Sequence, residues 1–164
     1  MVILNQSMEN YNKFNHLKIH TQYSICEGAA KIDHLTEFCK SNKIKALGIS
    51  DTSNLCGALE FSENISKVGT QPILGSQINF KFKDEVGLLP IFSKSELGYK
   101  SMIQLSSKSF LDNNSMQLPH CDINDLVNQS KGLIVLSGTV AGLVGKLFNK
   151  GKYNDIKELY LFIK

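Results

Sequence analysis

Short apolar runs of strand length alternate with amphipathic segments along the 164-residue chain, and this alternation limits the possible folds more than any other feature. The runs are "FNHLKIH" at 14–20, "KALGIS" at 45–50, "QPILGSQINFKF" at 71–82, "LLPIF" at 88–92 and "GLIVLSG" at 132–138. Strands separated by helices in this way are typical of α/β proteins with mainly parallel pairing. The last run has no polar alternation, so it predicts a strand that is buried on both faces.

The segments between these runs carry apolar residues at helical spacing. We predict helices over 31–41, 57–68 and 96–110, and a short helix from an Asp122 cap through Asn128. A last helix should begin at Asp155, with Glu158 completing a capping-box-like start. The side chains expected to face the core are Ile32, Leu35, Phe38 and Cys39; Ala58, Phe61, Ile65 and Val68; Tyr99, Met102, Ile103, Ser106 and Phe110; and Ile156, Leu159, Tyr160 and Ile163.

The length corresponds to about one domain, and 42% apolar residues are enough for a packed core. The net charge of +3 and the complete lack of arginine give little support for a nucleic-acid surface within this chain. No apolar run approaches the roughly 20 residues of a membrane span, and the start has no basic region of the kind found in signal peptides. We therefore expect a cytoplasmic protein with no membrane partner, in which residues 1–13 are a leader.

Four cysteines, at positions 26, 39, 56 and 121, are too far apart in the sequence to form a CxxC pair. A zinc knuckle is therefore unsupported, and in a reducing compartment disulfides are not expected.

A candidate site lies in "NHLKIHTQYS", residues 15–24. Side chains of a strand alternate between its faces, so His16, Lys18 and His20 should point the same way. A metal site would favour histidine at the middle position, where lysine stands. In α/β folds functional groups collect at the carboxyl ends of strands. The polar residues expected there are His20-Thr21, Ser50-Asp51-Thr52, Gly75-Ser76-Gln77, Ser93 and Ser137-Gly138-Thr139.

Several segments, in order, resemble the N-terminal PHP (polymerase and histidinol phosphatase) domain of the bacterial replicative DNA polymerase III alpha subunit. They are "FNHLKIHTQYSICEGAAKI", "ALGISDTSNLCGALEF", "PILGSQI", "GYKSMIQLSSKSF" and "GLIVLSG", which together cover roughly residues 14–148. The resemblance implies a distorted (β/α) barrel of parallel strands wrapped by helices. Because the chain stops within a helical pattern, we expect residues 14–164 to be the N-terminal portion of that domain, truncated before the barrel closes.

The resemblance also implies where metal ligands of the family would fall. The leading histidine falls at Lys18, which is a cation, whereas the second falls at His20 and is retained. The acid of the next loop falls at Glu27. The Asp-His pair falls at Asp51 and Thr52, so its histidine is missing.

Two further positions have also changed. The family's glutamate after the third strand falls at Gln77, and the histidine that opens the fourth strand falls at Leu88. A multinuclear metal site needs anionic or imidazole ligands, and of these positions only His20 and Glu27 are expected to bind a metal well. Lys18 is expected to replace a lost cation by pairing with Glu27 or Asp51. We therefore predict a degenerate metal site and no catalytic residues.

Other motifs have simpler explanations. His16 is more consistent with a structural role, His34 and His120 with the surface, and Asp51 with ordering a loop. His20 is equally compatible with a hydrogen-bonded histidine and with a remnant ligand. "GTVAGLVGK", 138–146, resembles a phosphate loop but has Val140 in place of the first glycine and Leu147 after the lysine.

Three functions remain open from the sequence. In the first, the chain is a scaffold portion of a DNA-directed DNA polymerase, a nucleotidyltransferase. The resemblance implies that the polymerase uses magnesium in domains absent from this chain, whereas this portion needs no cofactor. The implied partners are the proofreading exonuclease subunit, the rest of the holoenzyme and, through the other domains, DNA. The second is a metal-dependent PHP-type phosphoesterase, and the third a module that binds a small anion in the former metal pocket.

Overall fold

The computed structural model describes residues 14–114 and 116–163, so the expected leader lies outside the described residues. These residues form two compact units. The first unit contains residues 14–51 and 56–75, and the second contains residues 52–55 and the described residues from 76 onwards. In the described part of the chain, every helix is too short or too polar to cross a membrane.

The first unit is built around β1 (Ala46–Thr52), whose five central residues are buried. Two helices, α1 (Ile32–Asn42) and α2 (Ala58–Lys67), accompany β1, and the first residues of β2 (Gln71–Phe82) complete the unit. These elements confirm the predicted ones to within two residues. The core of this unit consists of Ile32, Cys39, Ile44, Leu47, Ile49, Phe61 and Ile65.

Residues 14–20 do not form the predicted regular strand. The Gly48 N–H donates to the His16 carbonyl at 2.7 Å, and the Ser50 N–H donates to the Ile19 carbonyl at 2.9 Å. The two acceptors are three residues apart, whereas a regular parallel ladder spaces them by two. The extra residue breaks the alternation of faces, as in a bulge. Gly48 allows this close approach, because a Cβ there would lie 2.9 Å from the Leu17 Cα.

The second unit contains the remainder of β2 and the elements that follow it. These are β3 (Glu85–Ser93), α3 (Glu96–Leu111), β4 (Cys121–Asp122), α4 (Ile123–Asn128), β5 (Leu133–Val135), α5 (Leu143–Asn149) and α6 (Tyr153–Ile163). As predicted, Asp122 caps α4, and its capping box is completed by Asp125. The largest fully buried side chains of this unit are Phe80, Ile78, Leu89, Ile91, Met102, Leu105 and Leu126.

Strand pairing in the sheet is mixed, and the α/β class is confirmed. β4 pairs with β2 in parallel, with Phe80 opposite Cys121. β5 pairs with β3 antiparallel, with Ile91 opposite Val135. The strand order is β1-β2-β3-β5, and within the described residues this order does not close into a barrel.

Two predictions about the second unit are wrong. The run 132–138 forms a strand of only three residues, and Ile134 is 48% exposed, so this strand is not buried on both faces. The reason is its position at the end of the strand order. The last helix begins at Tyr153 instead of Asp155, and Asp155 and Glu158 both bind the ammonium group of Lys83.

Four side chains predicted to face the core are exposed: Phe38, Ile103, Phe110 and Tyr160. In α3 the buried positions are Gly98, Ser101, Met102, Leu105 and Ser109. Three of these five residues are small, and two of the three are polar serines. A pattern based on large apolar residues therefore places the buried face about one position away from its true place.

Candidate functional site

The carboxylate of Asp51, at the end of β1, is the centre of the candidate site. Asp51 is 2% exposed. Its Oδ1 accepts hydrogen bonds from the Thr21 backbone N–H and the Ser24 hydroxyl, both at 2.6 Å, and its Oδ2 accepts one from the Thr21 hydroxyl at 2.7 Å. Burying a carboxylate is costly unless hydrogen bonds replace its hydration. These short, charge-assisted bonds supply that replacement and fix the segment around residues 21–24 to the end of β1.

The local sequence holds Thr21 and Ser24 in this position. The Ser24 N–H donates to the Thr21 carbonyl at 2.9 Å, and the Gly28 N–H donates to the Ser24 carbonyl at 2.9 Å. Thr21 also forms an isolated parallel bridge with Ala30. Gly28 permits this compact turn, because a Cβ there would lie 2.0 Å from the Thr21 carbonyl oxygen. The turn therefore directs two hydroxyl groups at one carboxylate.

Two of the sequence-predicted residues, His20 and Glu27, lie beside this cluster. The His20 Nδ1 is 3.3 Å from the Ser24 Oγ and 3.6 Å from the Glu27 Oε2. Because the single Ser24 hydroxyl proton is donated to Asp51, Ser24 can only accept a bond from His20. Such a bond requires a proton on Nδ1. The structure thus brings His20, Glu27 and Asp51 together through Ser24.

A second contact holds the same turn against α2. The Tyr23 hydroxyl donates to the Glu60 Oε2 at 2.6 Å. This hydrogen bond is the main reason that the pKa of Tyr23 is raised above its usual value. The Tyr23 ring lies over Gly57, where a Cβ would be 2.7 Å from the ring Cδ2. Sequence reasoning included Tyr23 in a family motif but assigned no role to Tyr23 or Glu60, because 37 residues separate the two.

Lys18 is exposed. It was expected to pair with Glu27 or Asp51, but the three bonds to Asp51 described above come from Thr21 and Ser24 and not from an ammonium group. Ser24 was therefore missed as a site residue, and Thr21 was expected only as a polar residue at a strand end. The available signal was their place directly after the first apolar run, where polar side chains collect in α/β folds.

Three other predicted positions belong to the second unit. Thr52 is the partly buried last residue of β1. Gln77 is a buried residue of β2, and its carbonyl accepts the Ser53 N–H at 2.8 Å. Leu88 is a partly buried residue of β3. None of these three side chains is a carboxylate or an imidazole.

The donor set does not fit the multinuclear metal centre that the family resemblance implies. Such a centre needs several carboxylate or imidazole ligands around each ion. Within residues 14–114 and 116–163, no group of three or more His, Cys, Asp or Glu side chains is arranged to hold a metal ion. Instead, both carboxylate oxygens of Asp51 receive hydrogen-bond donors from Thr21 and Ser24.

Comparison with known proteins adds independent information. The family model described as "PHP domain" matches residues 16–164. The chain is 33% identical to DNA polymerase III subunit alpha of Vibrio cholerae, covering 92% of this chain and 13% of that protein. For the same subunit of Rickettsia felis the identity is 37%, covering 82% and 11%, and for that of Borreliella burgdorferi it is 32%, covering 93% and 14%. The chain thus spans only a small part of the length of these relatives.

A solved structure of a protein from Bifidobacterium adolescentis aligns with 92% of this chain and 55% of its own, at 16% identity and a TM-score of 0.43. That likeness is too distant to support a conclusion.

Proposed function

Because the chain belongs to the PHP domain family, we propose that it is part of a bacterial DNA polymerase III alpha subunit and acts in DNA replication. The observation that carries this proposal is the identity of 32–37% to alpha subunits of three bacteria, over 82–93% of the chain. In this assignment residues 14–164 are the N-terminal portion of the PHP domain. The protein works in the cytoplasm, where the chromosome is replicated.

The polymerase activity itself belongs to the longer protein in this proposal. A DNA-directed DNA polymerase transfers nucleotides with two metal ions, for which magnesium is the expected ion. The carboxylates that bind those ions are expected in another domain. We therefore propose that residues 14–164 are non-catalytic by themselves, and we expect them to extend no primer.

We propose that this portion is a scaffold that supports docking of the proofreading exonuclease subunit. The donor set around Asp51 supports a structural role, since its hydroxyl donors order a turn and do not surround a reacting atom. Besides the exonuclease, the partners in this proposal are the rest of the holoenzyme and, through the other domains, DNA.

Docking can be tested with the purified chain and the exonuclease subunit of the same bacterium. We expect the two proteins to co-elute in size-exclusion chromatography, and an unrelated 3′–5′ exonuclease to elute separately. A chain that is folded by circular dichroism but does not co-elute would count against the docking role, whatever the outcome for the polymerase assignment.

An activity assay separates the scaffold from the phosphoesterase alternative. We expect no hydrolysis of p-nitrophenyl phosphate or of a 3′-phosphorylated oligonucleotide in buffer containing Mn²⁺. Activity that disappears in His20→Ala and survives in His34→Ala, a histidine substitution away from the cluster, would overturn the scaffold proposal and favour the phosphoesterase.

A further inference from the structure

The hydrogen bonds at Asp51 occupy the place where the family resemblance implies a cation. All three donors come from two residues of one turn, Thr21 and Ser24, and the turn is separated from Asp51 by 27–30 residues of sequence. We name this set of three residues the Asp51 clamp. Its three donor–acceptor distances are 2.6–2.7 Å, in the range of charge-assisted hydrogen bonds.

A hydroxyl donor and a metal ion use the same lone pairs of a carboxylate. In the clamp, Oδ1 receives two donors and Oδ2 receives one. These donors take three of the roughly four lone-pair sites of the carboxylate, so a cation that bound Asp51 would compete with donors that also hold the turn in place. The retained ligand types beside the clamp, His20 and Glu27, are half of what even a single four-coordinate ion requires.

We propose that the Asp51 clamp takes the place of a bound cation in attaching the turn at residues 20–28 to the end of β1. On this proposal, the site folds without metal. The Tyr23–Glu60 bond supports the same turn from α2 without involving Asp51. The clamp and the Tyr23–Glu60 bond thus both attach the turn through protein groups. This inference concerns the folding of the site and does not depend on the polymerase assignment.

The chain offers a closely matched pair of variants to test the clamp. Ser24 and Ser50 are both buried, at 2% and 0% exposure, and both lie next to Asp51, one in space and one in sequence. The Ser24 hydroxyl donates to Asp51, whereas the Ser50 hydroxyl has no hydrogen-bond partner among the residues that the structure describes. The same change, serine to alanine, therefore removes a clamp bond in one variant and an unsatisfied hydroxyl in the other.

Thermal unfolding of the full chain should separate the two variants. We expect Ser24→Ala to lower the midpoint by about 5 °C, because it removes a hydrogen bond to a buried charge. Ser50→Ala should leave the midpoint within about 2 °C of the wild type or raise it, because it removes a buried hydroxyl that bonds to nothing. Equal decreases of the midpoint in both variants, or no decrease in Ser24→Ala, would overturn the proposed role of the clamp.

The second part of the experiment compares the unfolding midpoint with and without a divalent metal ion. We expect the wild-type midpoint to be the same, within about 1 °C, in EDTA and in Mn²⁺, because an ion that binds only the folded state would raise it. A rise of several degrees in Mn²⁺ that is lost in His20→Ala would overturn the proposal.

If Ser24→Ala does not fold, the wild type still provides a test, since the Thr21 amide should exchange its hydrogen slowly with or without EDTA. Fast exchange of that amide in EDTA alone would also overturn it.

Discussion

The hydroxyl of Ser24 donates a hydrogen bond of 2.6 Å to the carboxylate of Asp51, although 27 residues separate the two in the sequence. Together with the donors of Thr21, this bond provides a buried anion with partners that belong to the chain itself. These hydrogen bonds attach the turn at residues 20–28 to the end of β1.

Replacing Glu60 by glutamine should lower the pKa of Tyr23 toward its usual value of 10.0, because hydrogen bonding to the Glu60 carboxylate is the main cause of the upward shift. A raised pKa in the folded state means that the bond contributes stability fully below the ordinary tyrosine pKa. This contribution is lost as the pH rises through the folded value. Absorbance titration near 295 nm, with Tyr23→Phe identifying the signal, measures the shift.

A matched control for this titration is Glu63→Gln, an exposed glutamate on the same helix. It should leave the titration of Tyr23 unchanged. If both glutamine variants move the Tyr23 signal equally, general negative charge and not the specific bond to Glu60 sets the pKa.

Glu85→Gln should destabilise the protein near neutral pH and have little effect in acid. The buried Glu85 carboxylate binds the ammonium groups of Lys150 at 2.7 Å and Lys152 at 3.1 Å, and the first of these bonds is the main cause of its lowered pKa. A lowered folded pKa gives stability that is present above the unfolded value of 4.5 and is lost as the pH falls through the folded value. Unfolding midpoints measured from acid to neutral pH should therefore converge for the two proteins at the acid end.

Glu96→Gln is the comparison for that variant. Glu96 also binds a lysine, Lys100, at 2.7 Å, but its side chain is 82% exposed. Exposed pairs of this kind contribute little, so the midpoint should hardly change. If Glu96→Gln lowers the midpoint as much as Glu85→Gln does, burial is not the reason that the ion pairs of Glu85 stabilise the protein.

Lys83→Met should lower the unfolding midpoint more than Lys81→Met does, and the difference should shrink in about 1 M salt, where the Debye length is about 3 Å. Lys83 binds both Asp155 and Glu158 of α6, and these two carboxylates raise its pKa, with Asp155 as the larger cause. Lys81 is an exposed lysine of β2, two residues before Lys83. Equal effects of the two substitutions at low salt would contradict a specific role of Lys83 in holding α6.

Much of the fold could be predicted because periodicity and turn chemistry are local. The strand over 71–82 and the Asp122 cap were found this way, since each depends on residues close together in the sequence. The exposure of Ile134 could not be predicted, because an apolar run does not reveal whether its strand lies at the end of a sheet. The irregular segment at 14–20 depends on its register against β1, which its own residues do not encode.

The site was predicted in part, for a related reason. His20, Glu27 and Asp51 were identified as family positions, and they lie around Ser24 in the structure. The hydrogen bonds of the clamp and the Tyr23–Glu60 bond were missed. They depend on contacts across 27 to 37 residues of sequence, and serine, threonine and tyrosine are too common to attract attention by type alone.

Gly98→Ala should cause the largest loss of stability among the variants considered. A Cβ at position 98 would lie 1.9 Å from the Gly132 carbonyl oxygen and 2.5 Å from its carbon, which are backbone atoms that no side-chain rotation can move aside. That carbonyl is already held by the Lys94 N–H at 2.7 Å. Relief of the clash therefore requires the start of α3 and the residue before β5 to separate.

We expect Gly98→Ala to cost about 2–4 kcal/mol in urea unfolding followed by circular dichroism, the range of severe overpacking. Because alanine favours helix more than glycine by about 1 kcal/mol, propensity alone would predict the opposite sign. Ser107→Ala, at an exposed position of α3, shows what alanine does in this helix without a clash, and should be neutral or slightly stabilising. A Gly98→Ala protein as stable as wild type would mean that the two backbones do not approach this closely in solution, and that the glycine of the "GYKSMIQLSSKSF" motif serves some purpose other than packing.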